Sequence, residues 1–420
     1  MNRQVLLLVT AQAFAQTASI LVMTVGSLAG REIAPDPQLA TVPISAMILG
    51  TVIATVPASM WMARAGRRVG FITGALLGTL GGLVAASGIV VRSFFVLLLG
   101  LFLIGTYQAF TLFYRFAASE VSDDAFRPRA ISLVLTGGVA AALLGPALAG
   151  FGASLLERAY AGSFLILAAV SLAAAGVLLG LRVPLPQAQI GQSQPRPLLV
   201  IMRQPTFAVA IFAAATGGGV MVLAMTAMPL AMAQHHHGLS ATTVVMQVHV
   251  LGMFLPSFFT GSLIARCGVL RVMFAGAVLL SAHVALSVSG TGFVSFAWAL
   301  ALLGVGWNFL YVGGTTLLTD AYLPAERGRA QAANDLLIFV VGLASSLTAG
   351  VLLQIAGWRL MNAYLLPWLV AAIVAVVWLG HMRRRLAERE GFEPDSEPQS
   401  DQQATESESN SGPNDPRKSP

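Results

Sequence analysis

Long apolar runs alternate with short polar breaks along the whole chain. A run of roughly 18 or more apolar residues can cross a bilayer core as a helix, and such runs recur from one end of the sequence to the other. Bounded by charges and Gly/Pro clusters, they predict twelve spans, near residues 4–29, 38–62, 70–91, 94–117, 130–153, 161–181, 206–232, 240–264, 272–290, 294–318, 331–356 and 361–381. Residues 182–205, rich in Pro and Gln, read as a cytoplasmic linker between a six-helix bundle over 1–181 and a second over 206–381. Residues 382–420 are polar and acidic without periodicity, which predicts a disordered cytoplasmic tail. The expected fold class is an all-α membrane protein with twelve transmembrane helices.

Composition supports this and removes other classes. The chain is 56% hydrophobic and 10% charged, with a mean hydropathy of +0.77, where a soluble domain carries about a quarter charged residues. The single cysteine, Cys267, rules out an internal disulfide and a CxxC metal site. The first segment, from Val5, shows no sharp cleavage site and reads as a retained helix. No G-x-x-x-x-G-K-[ST] phosphate loop and no spaced His/Asp/Glu constellation is visible, so neither a nucleotide-driven pump nor an enzyme is expected, and no cofactor or metal.

The net charge of +6 does not point to nucleic acid; its meaning lies in where the arginines fall. With both termini inside, Arg3, Arg64, Arg67, Arg68, Arg127, Arg129, Arg182, Arg196, Arg203, Arg266, Arg271, Arg327, Arg329 and Arg383–Arg385 are cytoplasmic, and Arg31, Arg92, Arg158 and Arg359 lie outside. That asymmetry obeys the positive-inside rule.

An internal repeat is also present. "ARAGRRVGFITGA" (63–75) aligns with "ARCGVLRVMFAGA" (265–277), and "EVSDDAFRPRA" (120–130) with "DAYLPAERGRA" (320–330). In the same register Gln108 falls on Asn308. Two related six-helix bundles in one chain are a transporter architecture.

The turn between spans 2 and 3 resembles the signature of the major facilitator superfamily, roughly G-x-L-A-D-R-x-G-R-R. It reads "SMWMARAGRR" at 59–68, with a second copy "GSLIARCGVLR" at 261–271. "GPALAG" (145–150) resembles the family's helix-5 Gly-Pro motif, commonest among proton-coupled exporters. The turn aspartate of the family is replaced by Ala63 and Ala265, and its helix-4 arginine by a residue near Leu101. The resemblance implies a major-facilitator-type bundle of two pseudo-symmetric halves, working by alternating access in a bacterial inner membrane. It also implies that spans 1, 2, 4, 5, 7, 8, 10 and 11 line a central cavity.

On those spans the substrate-binding candidates are Gln16, Tyr107, Gln108, Gln247, His249, Trp307, Asn308 and Tyr311. Polar groups in hydrocarbon face protein or a wet cavity, and amides and tyrosines also join membrane helices to one another, so both readings stay open. His283 reads as structural, and "QHHHG" (234–238) as a solvated loop rather than a metal site. Gate or ion-pair candidates are Arg64, Arg67, Arg68, Glu120, Arg129, Arg266, Asp320, Arg329 and Asp335. Asp335 is expected to pair with the arginines of the 63–68 turn, a gate role preferred to proton transfer. Arg115 reads as structural, with attraction of an anionic substrate group as the alternative.

The expected function is secondary transport of a small organic solute by an ion- or proton-coupled monomer in the lipid bilayer. Export of drugs or metabolites is slightly favoured. Uptake of a neutral cyclic nutrient, riboflavin being one such compound, is the alternative, and a non-transporting membrane scaffold or sensor is a reading of another class.

Overall fold

A computed structural model describes residues 3–123, 127–183, 196–323 and 326–390. Residues 184–195 of the expected linker and the tail from 391 onward lie outside the described residues. Among the described residues the regular structure is entirely helical: α1 (Arg3–Ile33), α2 (Val42–Ala65), α3 (Arg67–Val90), α4 (Phe94–Thr111), α5 (Tyr114–Glu120), α6 (Arg127–Ala153), α7 (Ala161–Leu178), α8 (Leu198–Met202), α9 (Pro205–Gln234), α10 (Leu239–Phe254), α11 (Ser257–Cys267), α12 (Val269–Ser289), α13 (Phe293–Leu318), α14 (Arg327–Ala363) and α15 (Leu366–Glu390), with short 3-10 turns at Pro37–Thr41 and Thr319–Ala321. By Cα proximity the chain divides into two compact units, Met1–Val377 and Trp378–Pro420.

Ten described segments are long and apolar enough to cross a membrane, or eleven when α10 and α11, bent by 41°, are taken as one span. One of the ten, Arg329–Leu386, is 58 residues long. A straight helix of that length would reach about 87 Å, nearly three bilayer cores. It is interrupted at Gly357 (φ 69°) and again between α14 and α15, so its length suits two spans. α15 continues to Glu390, past residue 381 where the sequence placed its end. The extra residues, "MRRRLAERE", are good helix formers.

Small residues let the helices approach closely, as expected where hydrocarbon supplies no hydrophobic drive between helices. Gly105 of α4 sits against the Met47 backbone of α2, Gly304 of α13 against the His249 carbonyl of α10, and Gly276 of α12 against the Gly306 carbonyl of α13, where an added Cβ would come within 2.9 Å of the oxygen. The two copies of the arginine turn have the same backbone. Gly66 (φ 87°, ψ 157°) and Gly268 (φ 87°, ψ 148°) each end one helix and begin the next. A side chain is strained at such angles. The repeat seen in the sequence is therefore a repeat of conformation.

Contacts between α1–α7 and α9–α14 run through α6 with α10, α2 with α14, and α1 with α9. Three of the hydrogen bonds that join them lie toward the end of the bundle opposite the arginine turns. Ser45 Oγ donates to Ser346 Oγ at 2.9 Å, the Gly350 N–H donates to Thr41 Oγ1 at 3.1 Å, and Gln247 Nε2 donates to the Leu143 carbonyl at 3.0 Å.

The bend between α10 and α11 centres on Leu255–Pro256. Proline has no N–H and interrupts the helical ladder, leaving carbonyls that hydrocarbon would not satisfy. Asn308 of α13 meets this need. Its Nδ2 donates to the Met253 carbonyl at 2.8 Å and to Ser257 Oγ at 2.6 Å, and its Oδ1 accepts from Thr260 Oγ1 at 2.7 Å. Asn308 is 1% exposed, so it is a staple across the bend and not the cavity residue expected from the sequence.

Two predictions follow from backbone chemistry. A Cβ at Gly268 would meet nothing within 4 Å, so Gly268→Ala isolates the cost of the positive φ; it should destabilise the protein by about 1–2 kcal/mol, read as a lower unfolding temperature in detergent. Asn308→Leu should cost about 1–3 kcal/mol by orphaning buried groups, while Asn308→Asp or →Gln should retain part of the stability; equal stability of the Leu variant and the parent protein would remove the staple role.

Candidate functional site

A cavity of about 380 Å³ lies between the two groups of helices, within the usual size range of small-molecule sites. Its described lining comes from α1, α2, α4 with α5, α6, α9, α10, α13 and α14, and includes no residue of α3, α7, α12 or α15. These are the spans implied by the family resemblance.

One wall is aromatic. Trp307 and Tyr311, one helical turn apart on α13, stack with centroids 5.0 Å apart and planes 13° from parallel. Methionines supply much of the remaining apolar surface: Met23, Met47, Met221, Met225 and Met253. Their flexible thioethers adapt to ring edges and faces. The polar lining is mostly neutral, with Gln12, Gln16 and Ser19 on α1, Thr51 on α2, and Gln108 and Thr111 on α4. Gln108 Nε2 reaches the Ala15 carbonyl only at 3.5 Å, which leaves most of its hydrogen-bonding capacity to the cavity. Gln12 and the methionines were missed in the sequence; Gln12 sits one turn before Gln16, a spacing that placed both on one face.

Among the described lining residues the charges are Arg115 and Asp335. Arg115 Nη2 lies 3.8 Å from Asp335 Oδ2, and both side chains are about a third exposed. This corrects two expectations. Asp335 faces Arg115 of α5 and not the arginines of the 63–68 turn, and Arg115 is a cavity residue rather than a purely structural one. The turn arginines are accounted for differently: Arg67 makes a bidentate pair with Glu120 at 2.8 and 3.2 Å and lies over the Phe113 ring, while Arg64 and Arg68 are exposed. Glu120 thus takes the place of the missing turn aspartate. Val269 stands at the repeat position of Arg67, so the second copy lacks this pair. On that side Glu326, 1% exposed, binds Arg196 through Oε1 at 2.6 Å and Oε2 at 2.7 Å. The Arg196 hydrogen bonds hold the Glu326 carboxyl down to about 2. Neither residue was singled out as a pair in the sequence, because the contact joins positions far apart in the chain. Arg266, Asp320 and Arg329 are exposed, and the side chain of Arg129 lies outside the described residues.

Three further cavity candidates lie elsewhere. Tyr107 is fully buried, wedged against Gly78 of α3 in the apolar core that also holds Phe71 and Tyr114. His249 is fully buried and bonds the Leu300 carbonyl through Nδ1 at 2.9 Å, joining α10 to α13. Gln247 is spent on the α6–α10 contact described above. His283 joins α12 to α13 and to Asn362. In the "QHHHG" segment His237 bonds the Thr291 carbonyl at 2.8 Å and stands edge-on to Phe296. Among the described residues no group of three or more His, Cys, Asp or Glu is placed to hold a metal ion.

The arrangement offers a flat apolar wall, neutral hydrogen-bonding groups and a balanced pair of charges, which together suit an uncharged ring compound. Comparison with known proteins is consistent with this architecture. Riboflavin transporter RfnT of Brucella anthropi is 39% identical over 379 residues, covering 90% of this chain and 94% of that protein. An uncharacterized MFS-type transporter of Bacillus subtilis, YddS, is 28% identical over 377 residues, covering 85% and 86%. Among solved structures, the nucleoside transporter NupG superposes with a TM-score of 0.70 at 15% identity, covering 88% of this chain and 99% of that one. A bacterial homologue of the lysosomal transporter Spinster gives 0.69 at 17% identity, covering 90% and 96%. The profile of the Major Facilitator Superfamily matches residues 6–254 and 221–414. With that match across both groups of spans, the chain belongs to the major facilitator superfamily of membrane transporters.

Proposed function

We propose that this transporter carries a neutral, flat heteroaromatic solute of the flavin type across the bacterial inner membrane, in the direction of uptake. The observation that carries this reading is the Trp307–Tyr311 stack in a cavity whose charges cancel. A tricyclic ring gains stacking and apolar burial on such a wall, and the glutamines and threonines around it can meet polar ring edges and hydroxyls. The 39% identity to a riboflavin transporter supports the same substrate class.

The sequence leaned toward export through the Gly145–Pro146 motif. That pair does not line the cavity; Gly145 packs against Ile20 of α1. The position of the family's helix-4 arginine is taken by Leu101, fully buried. With the features that favour a proton-coupled exporter outside the cavity lining or missing, uptake of a ring-bearing nutrient fits this cavity better. In this reading the two groups of helices rock about the site. The contacts made by Ser45, Ser346, Thr41 and Gly350 close its far end, while the arginine-rich, cytoplasmic end holds the Arg115–Asp335 mouth.

Proteoliposomes preloaded with riboflavin should take up labelled riboflavin by counterflow, with the rate compared in the presence and absence of a proton gradient. Trp307→Ala should weaken apparent affinity roughly tenfold, and Trp307→Phe by much less. No counterflow by a folded protein would overturn the reading in favour of a scaffold or another substrate. Flavin loss from preloaded cells faster than from cells lacking the protein would reverse the direction.

A further inference from the structure

Arg115 and Asp335 are built as more than an ion pair. At 3.8 Å their nearest N and O atoms are too far apart to hydrogen-bond to each other. Each side chain is held from behind instead. Arg115 lies over the Phe116 ring at 4.9 Å, and its Nε is buried with no hydrogen-bond partner among the described residues. Asp335 accepts from the buried Asn334 amide at 3.1 Å through Oδ1, which leaves Oδ2 toward Arg115 and the cavity. Arg115 and Asp335 line the same cavity as Trp307 and Tyr311, so the pair and the aromatic wall face one space. The result is a donor and an acceptor side by side, each with unused capacity, at the edge of a stacking surface.

We infer that Arg115 and Asp335 together read a lactam or imide edge on the substrate ring, and that Asp335 excludes phosphorylated forms of that ring. This rests on the flavin-type reading and deepens it. An edge with a carbonyl oxygen beside a ring N–H offers an acceptor and a donor on adjacent atoms. Arg115 donates to the carbonyl and Asp335 accepts from the N–H, so two parallel charge-assisted hydrogen bonds form at once. Neither residue alone supplies this pattern, and a ring without the N–H leaves a carboxylate facing a partner that does not donate. A phosphate brought into the same cavity meets one guanidinium already balanced by a carboxylate, so its charge is not compensated. Neutral riboflavin, which carries an imide edge, is accepted, and riboflavin 5′-phosphate is not.

The test is equilibrium binding to the full-length protein in lipid nanodiscs, read by quenching of flavin fluorescence. Three probes are used: riboflavin, N3-methylriboflavin and riboflavin 5′-phosphate. On the unmodified protein, N3-methylation should weaken binding roughly 10- to 100-fold, the range for a hydrogen bond to a charged group. The phosphate should bind at least about tenfold more weakly than riboflavin. Asp335→Asn, which keeps the side-chain volume, should bring the phosphate within about threefold of riboflavin. Arg115→Gln should weaken riboflavin and leave the phosphate excluded. Equal binding of riboflavin and N3-methylriboflavin by the unmodified protein would overturn this inference while leaving the flavin reading in place, and that comparison needs no variant to fold. Exclusion of the phosphate unchanged in folded Asp335→Asn would overturn the charge-selection half. Absence of binding by all three flavins would overturn the flavin reading and this inference with it.

Discussion

Hydrocarbon offers no hydrogen-bonding partner, and that constraint sorts the polar residues of this protein into two groups. In the first, the protein itself supplies the partner. Asn308 meets the Met253 carbonyl, Ser257 and Thr260; His283 meets Ala299 and Asn362; Gln247 meets Leu143. These groups tie helices together and have little left for a solute. In the second group the partner is long or lacking. Gln108 reaches Ala15 at 3.5 Å, and Arg115 and Asp335 stand 3.8 Å apart. Those residues line the cavity. An unmet partner marks a binding group only where the side chain also faces the cavity: the Tyr107 hydroxyl has no partner among the described residues, yet it is buried in the core.

The same constraint explains the divergence between the repeats. Both copies of the turn keep a glycine at φ 87°, because the backbone path between adjacent spans demands it. The surrounding side chains are free to differ once the path is set. In one copy Arg67 binds Glu120. In the other, where Val269 replaces that arginine, the restraint is an Arg196–Glu326 pair that brings in a residue of the linker. Gln108 and Asn308 are repeat mates with opposite fates for a related reason. Pro256 breaks the α10–α11 span beside Asn308, and the amide is drawn to the break.

The spans, the repeated turn and the identity of the cavity-lining helices were legible in the sequence, since each is written in hydrophobic run length or in a local motif. The face of each helix was less so. Trp307, Asn308 and Tyr311 are all cavity candidates by sequence, but a one-residue step turns the helix by about 100°, and Asn308 points to α10 and α11 while Trp307 and Tyr311 face the cavity. Tyr107 and Gln108 divide in the same way. The partners of Asp335 and Glu326 depend on contacts more than 100 residues away. No local pattern encodes such contacts. The missing turn aspartate at Ala63 was a correct signal that an anion had to be found elsewhere. The anion beside Arg67 is Glu120, and Asp335 faces the cavity.

The proposed function requires a flat ring on the Trp307–Tyr311 wall with its polar edge toward Arg115 and Asp335. The most direct measurement is a cryo-electron-microscopy structure of the full-length protein with riboflavin bound. The account predicts tricyclic density parallel to the two aromatic planes at stacking distance, with its pyrimidine edge at Arg115 and Asp335. Riboflavin density elsewhere in the cavity, clear of that stack, would contradict it.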